Sequence, residues 1–172
     1  MRADAVPERI RWAVRTLAVA PTDRLLEIGC GGGVAVALIC PLLTTGTIVA
    51  IDRSATMTAR ARQRNAAHLH TGRASIRTAE FATTGPACDA GPFDKIFAVN
   101  VNLFWTAPAR TELALARDLL APGGTLHLYY QPPGERVAEL TERLTDALTG
   151  SGFTTRATRS GSTLGVVARP AT

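Results

Sequence analysis

The sequence predicts an α/β fold, a doubly wound, mostly parallel seven-stranded sheet with an antiparallel C-terminal strand. Three observations lead to it. Short apolar runs alternate with helical patterns of roughly 10–15 residues, the mark of βαβ units. The runs are apolar almost throughout, as in strands covered by helices on both faces. The last two runs, Phe153 to Arg159 and Thr163 to Ala168, are joined only by Ser160-Gly161-Ser162, a hairpin-like turn that adds an antiparallel strand.

Each element has a local reason. Pro7 to Val19 sets Ile10, Val14 and Leu17 at helical spacing with arginines between them. Arg24 to Ile28 is a strand that ends at a glycine cluster. Val34 to Leu43 reads as a helix, stopped after Pro41 and before Thr44-Thr45-Gly46. Thr47 to Ile51 is the second strand, and Ser54 to Leu69 a long helix with Ser54 as its N-cap. Ala74 to Thr78 is the third strand, and Ala82 to Pro92 carries little regular pattern. Asp94 to Val99 is the fourth strand, followed by a helix from Pro108 to Leu120 with proline near its first turn. Thr125 to Tyr130 is the fifth strand, and Glu135 to Leu148 a helix that ends at Gly150.

Composition narrows the class. The 172 residues suit one domain, 1–172, with residues 1–22 as an N-terminal helix and no separate substrate cap. Hydrophobic residues at 46% and charged residues at 19% exclude a disordered chain, and aromatics at 5% imply an aliphatic core. The net charge of +5 comes almost wholly from arginine, since Lys95 is the only lysine. The arginines bunch at Arg9, Arg11 and Arg15 and at Arg60, Arg62 and Arg64, spacings that spread them around helices as solvated faces. Nucleic acid is therefore a possible partner but not the favoured one. Cys30, Cys40 and Cys88 form no C-x-x-C pair and have no histidine at ligand spacing, so no metal site is expected. An odd cysteine count without a leader's apolar region fits a reducing cytoplasm. No run approaches the ~18 apolar residues of a membrane span.

The chemistry concentrates at Gly29-Cys30-Gly31-Gly32-Gly33, between the first strand and the next helix. Glycines permit positive φ and let a ligand approach the backbone, and the following helix offers free N–H groups. Asp52 ends the second strand, where a carboxylate can accept hydrogen bonds from both ribose hydroxyls of a nucleoside. Glu80 and Phe81 follow the third strand, where a polar group and a ring can hold an adenine, or equally be a solvated acid beside a core ring. The dinucleotide fingerprint fails, because Val34 stands in its third small-residue place. A P-loop fails too, since no Lys-Ser or Lys-Thr follows the glycines.

These residues resemble the class I S-adenosylmethionine-dependent methyltransferases, over nearly the whole chain from about Asp23. Glu27, Gly29, Gly31 and Gly33 match the family's first motif, acidic-x-Gly-x-Gly-x-Gly. Ile48 to Met57 is similar to the second, with Asp52 in the ribose place, Arg53 beside it and Met57 where the family packs a side chain near the adenosine. Glu80 falls near the acid that meets the adenine amino group, although Ala79-Glu80-Phe81 replaces the commoner Gly-Asp-Ala. Phe93 to Asn100 and Leu119 to Thr125 resemble the fourth-strand motif and the turn into the fifth. The resemblance implies a Rossmann-like sheet with its last strand antiparallel, and S-adenosylmethionine as cofactor with S-adenosylhomocysteine as product. It also implies that Glu27 orients the loop or meets the cofactor's amino end, and that the backbone of Gly29, Cys30 and Gly31 faces the methionine and ribose portion.

The acceptor side is less legible. Methyl transfer from a sulfonium is an in-line displacement in which proximity does much of the work, and a base is needed only when the acceptor must lose a proton early. Asn100 and Asn102 at the end of the fourth strand can bind cofactor or acceptor, and Trp105 can wall the acceptor or simply pack. Tyr129 and Tyr130 end the fifth strand on the same rim, as acceptor contacts or as core. His127 reads as a satisfied core residue, and Trp12 as a side chain that closes over the cofactor by family position alone. The two-proline Asn/Asp-Pro-Pro-aromatic motif of base-amine methyltransferases is absent. Residues 1–24 before the first strand core and the tight final hairpin leave little for acceptor binding, so the pocket is either open or completed by a second subunit. A small-molecule acceptor is the preferred expectation. RNA or protein methylation, or a catalytically silent partner subunit, are the alternatives.

Overall fold

The computed structural model describes residues 6–83, 91–105, 109–133 and 136–171. Helix α1 (Glu8–Leu17) precedes β1 (Arg24–Ile28), α2 (Val34–Ile39), β2 (Thr47–Asp52), α3 (Ala55–Arg64), α4 (Ala66–His70) and β3 (Ala74–Thr78). Strand β4 (Phe93–Val99), α5 (Arg110–Leu119), β5 (Leu120–Tyr130), α6 (Val137–Thr149), β6 (Phe153–Ser160) and β7 (Thr163–Pro170) follow. The seven strands form one sheet in the order β3-β2-β1-β4-β5-β7-β6. Pairs from β3 through β5 are parallel, and β7 runs antiparallel to both β5 and β6. The sheet and its reversed last strand are as the sequence predicts.

Period-2 alternation along each strand divides the core. Leu25, Ile48, Ala50, Phe97 and Tyr129 face α1, α2 and α3, whereas Leu26, Val49, Ile96, Leu126 and Tyr130 face α5 and α6. Trp12 belongs to the first layer. Its ring meets Tyr129 edge-on at a centroid distance of 5.6 Å, and it fills the space where a Cβ on Gly165 would stand 2.8 Å from its ring. It is a core anchor of α1 and does not close over a ligand.

Three boundaries differ from expectation, each for a physical reason. Helix α2 stops at Ile39 and tightens into a 3-10 turn over Cys40–Leu42, because Pro41 has no N–H to continue the ladder. The long helix expected over 54–69 breaks at Asn65, whose buried amide donates to the carbonyls of Gly33 and Ala61, both at 2.9 Å. Ser54 does cap α3, accepting from the Met57 amide at 3.3 Å. Strand β5 starts early: Leu120 pairs with Phe93, the register then shifts, and Thr125 pairs with Lys95. The Pro-Gly-Gly segment absorbs that irregularity, since a Cβ on Gly124 would lie 2.9 Å from the carbonyl oxygens of Ala121 and Phe93. Cys88, Pro108 and Glu135 lie outside the described residues.

Candidate functional site

The strand order reverses between β1 and β4, since β2 and β3 lie to one side and β4 and β5 to the other. Ligands of open α/β sheets bind outside the carboxyl ends of strands at such a switch point. The glycine loop sits there. Gly29, Gly31 and Gly33 have φ of 72°, 51° and 72°, a left-handed backbone at every second residue. The Gly29 and Cys30 amides both donate to the Ile51 carbonyl, at 2.8 and 3.0 Å, which folds the loop over the end of β2. A Cβ on Gly31 or Gly32 would meet nothing within 4 Å, so the loop's outer side is open. Gly33 has another role: a Cβ there would lie 2.6 Å from Asn65 Nδ2 and 2.8 Å from Ala61 Cβ, so its smallness seats the loop on α3.

Asp52 braces this loop from the end of β2. Its Oδ2 accepts the Gly31 amide and its Oδ1 the Ser54 amide, both at 2.8 Å. Each carboxylate oxygen keeps a second lone pair for a ligand. Glu27, one strand inward, is buried, and its Oε2 has no hydrogen-bond partner among the described residues. Burial, and secondarily the Asp52 charge, push its carboxyl up to about 8. A buried acid with an orphan oxygen is suited to a cationic donor brought by a ligand.

A cavity of about 590 Å3 opens over the carboxyl ends of β1, β2 and β4. Gly29, Asp52, Arg53, Glu80, Phe81 and Asn100 line it together. Glu27, Cys30, Gly31 and Met57 are not among its lining residues. Cys30 is buried, and burial raises its thiol far above the ordinary range. Met57 is half-buried in the first turn of α3. Phe81 is both lining and core, with its ring 6.4 Å from that of Phe104.

A second cavity, of about 260 Å3, adjoins the first. Asn100 and Asn102 line both. Asn100 has φ of 55°, one of two positive-φ non-glycine residues described. Its amide N–H donates to the Tyr129 carbonyl at 2.7 Å, and its Oδ1 accepts from the Gln131 amide at 2.8 Å. That strained residue thus ties the ends of β4 and β5 where the cavities meet. Trp105 and Tyr130 also line the second cavity, with Leu140, Arg136, Glu139 and Arg143 of α6 and its N-cap. Sequence reading missed that α6 contribution. The signal was present in Gln131-Pro132-Pro133, which turns the chain from β5 across the rim into α6.

Tyr129 is placed elsewhere, because neighbours in a strand point to opposite faces. Its hydroxyl lies 3.2 Å from Thr16 Oγ1 and 3.3 Å from His127 Nδ1, and burial pushes it up to about 12. His127 is the satisfied core residue expected. Its Nε2 meets Thr125 Oγ1 at 2.8 Å, and burial holds the ring down to about 4. The arginines of α3 are exposed, as their spacing suggests, and two of them also reach backbone carbonyls. Arg62 Nε donates to the Ile76 carbonyl at 3.1 Å and Arg64 Nε to the Gly32 carbonyl at 2.9 Å. Among the described residues there is no group of three or more His, Cys, Asp or Glu that could hold a metal, and no helix long and apolar enough to cross a membrane.

The fold and the crevice define an open α/β sheet with a cavity at its topological switch point. A family profile described as a methyltransferase domain matches residues 26–126, which spans β1 to β5, and the chain belongs to that family. It is 34% identical over 140 residues to a trans-aconitate 2-methyltransferase of Delftia acidovorans, covering 80% of this chain and 48% of that one. It is 36% identical over 148 residues to one of Methylobacterium radiotolerans, covering 84% and 52%. The chain thus spans about half the length of the curated relatives it matches. Among solved structures, a SAM-dependent methyltransferase from Aquifex aeolicus shares the fold, with a TM-score of 0.74 at 17% identity over 92% of this chain and 88% of that one.

Proposed function

We propose that the protein is an S-adenosylmethionine-dependent methyltransferase that acts on a small-molecule acceptor. The observation that carries the reading is the pair of adjoining cavities that share Asn100 and Asn102. One cavity has the size and lining for a nucleoside-bearing cofactor, and the other opens beside it for an acceptor. The methyltransferase relatives, named for a small acid as acceptor, support the same class.

The residues present fit the cofactor. Glu27 supplies a buried carboxyl group whose Oε2 lacks a partner, and the ammonium of a methionine moiety would favour its ionised form. The open outer side of Gly31 and Gly32 admits close approach to the backbone. Asp52 would accept the ribose hydroxyls, Glu80 and Phe81 would hold the adenine, and Arg53 and Met57 would flank the nucleoside. When bound, S-adenosylmethionine supplies an electrophilic methyl group on a positive sulfur. The chain's own task is to hold Asn100 and Asn102 at the meeting of the cavities and to exclude water with Trp105 and Tyr130. Buried free thiols at Cys30 and Cys40 accord with a cytoplasmic setting.

Calorimetry with S-adenosylmethionine and S-adenosylhomocysteine tests the reading. Both ligands should bind, and Asp52→Ala should weaken both by about 1.5–3 kcal/mol, the cost of losing hydrogen bonds to a charged acceptor. Absence of binding to either ligand refutes the cofactor. Binding without turnover across acceptors would favour a silent partner subunit.

A further inference from the structure

We propose that the acceptor is an apolar monocarboxylate methylated on its carboxylate oxygen, and not a polyanion. This rests on the methyl-transfer reading and specifies its substrate class. The described lining of the second cavity carries two guanidiniums, Arg136 and Arg143, and one carboxylate, Glu139. Glu139 lies between them, with Oε2 at 3.4 Å from Arg136 Nε and Oε1 at 3.3 Å from Arg143 Nη2. One positive charge is left over, enough for one carboxylate. Further negative groups on the same ligand would face Glu139 itself. Asn100, Asn102 and Gln131 add uncharged amides at one end, and Trp105, Tyr130, Pro132, Pro133 and Leu140 make an apolar and aromatic wall suited to a hydrocarbon or aryl body.

Two more observations agree. Trp105 Nε1 is buried with no acceptor among the described residues, and a carboxylate oxygen supplies one. The described lining also holds no histidine, cysteine, lysine or aspartate, side chains that commonly remove a proton. The Tyr130 hydroxyl donates to the Val101 carbonyl at 2.7 Å, and burial raises it well above the ordinary range. The carboxylate of Glu139 is engaged by two guanidiniums. A carboxylate acceptor is already anionic at neutral pH and needs no base. Its oxygen forms the new O–C bond as the S–C bond of the sulfonium donor breaks. The bonding pair stays on sulfur, the products are a methyl ester and a neutral thioether, and no proton is transferred.

The test uses the full chain with cinnamate and octanoate as probes, their amides as neutral isosteres, and trans-aconitate as a polyanion. Binding is read by calorimetry and tryptophan fluorescence, with and without S-adenosylhomocysteine. At least one acid should bind about tenfold tighter than its amide, and tighter than trans-aconitate. Arg143→Gln and Arg136→Gln should each reduce that acid-over-amide preference, whereas Arg156→Gln, on the exposed face of β6, should leave it intact. With S-adenosylmethionine, the bound acid should yield a base-labile methyl ester. If S-adenosylhomocysteine itself does not bind, the methyl-transfer reading fails. If it binds but no acid does, or acids and amides bind equally, or trans-aconitate binds tightest, the monocarboxylate proposal alone is overturned.

Discussion

Glu27 is a carboxyl group held where water does not reach, and the sign of its effect on stability follows. Its value near 8 stands above the ordinary 4.5, so the folded chain keeps a proton that the unfolded chain releases between those values. That contribution is intact below pH 4.5 and lost as pH rises to 8. Glu27→Gln cannot ionise. In urea denaturation it should therefore gain on the wild type by on the order of a few kcal/mol at pH 8, and match it near pH 4.5. The same variant should bind S-adenosylhomocysteine more weakly, a trade of function against stability. His127 titrates with the opposite sign. Held near 4, below its ordinary 6.5, it loses stability as pH falls through that window, so the comparison is variant against wild type at each pH. Parallel curves for Glu27→Gln and wild type would show that burial does not set this titration. At this scale the sequence marked Glu27, Gly29 and Asp52 through motif and spacing. It did not mark Arg136, Glu139 and Arg143, because a polar residue in the first turns of a helix looks the same whether it faces water or a cavity.

The glycine loop separates two kinds of constraint within one element. Gly31 has φ of 51° and open space beside it, so Gly31→Ala should cost only the left-handed strain of about 1–2 kcal/mol. Gly33→Ala adds a collision with Ala61 and Asn65 on α3, and its denaturation midpoint should fall further, by more than about 2 kcal/mol in total. Equal losses would mean that α3 moves away freely. The break between α3 and α4 has the same origin. Asn65 leaves helical geometry because its side chain holds the Gly33 carbonyl, a contact remote in sequence. Periodicity carried the helical pattern through to Leu69 and could not register it. Strand β6 is the exposed edge of the sheet, and Arg156 and Arg159 on it are charges that discourage edge-to-edge pairing.

For the molecule as a whole, a ligand that binds only the folded state must raise its stability. S-adenosylhomocysteine at a hundredfold excess over its dissociation constant should add about 2.7 kcal/mol, read as a melting temperature higher by roughly 5–11 °C for a domain of this size. No shift at saturation would place the ligand outside the folded sheet. The two-layer core makes a complementary demand. Leu126, fully buried under α5 and α6, should cost about 2–5 kcal/mol on replacement by alanine, measured by denaturant midpoint. The sequence by itself determined the seven-stranded order of elements, the reversed last strand, the glycine loop and the acid at the end of β2. Those follow from local periodicity and turn chemistry, together with the motif resemblance. Only the tertiary structure decided which of Tyr129 and Tyr130 faces the site, that Trp12 is core, and that α6 walls a second cavity beside the first. These depend on contacts between residues far apart in sequence, where strand parity and helix placement, rather than residue type, fix which face a side chain meets.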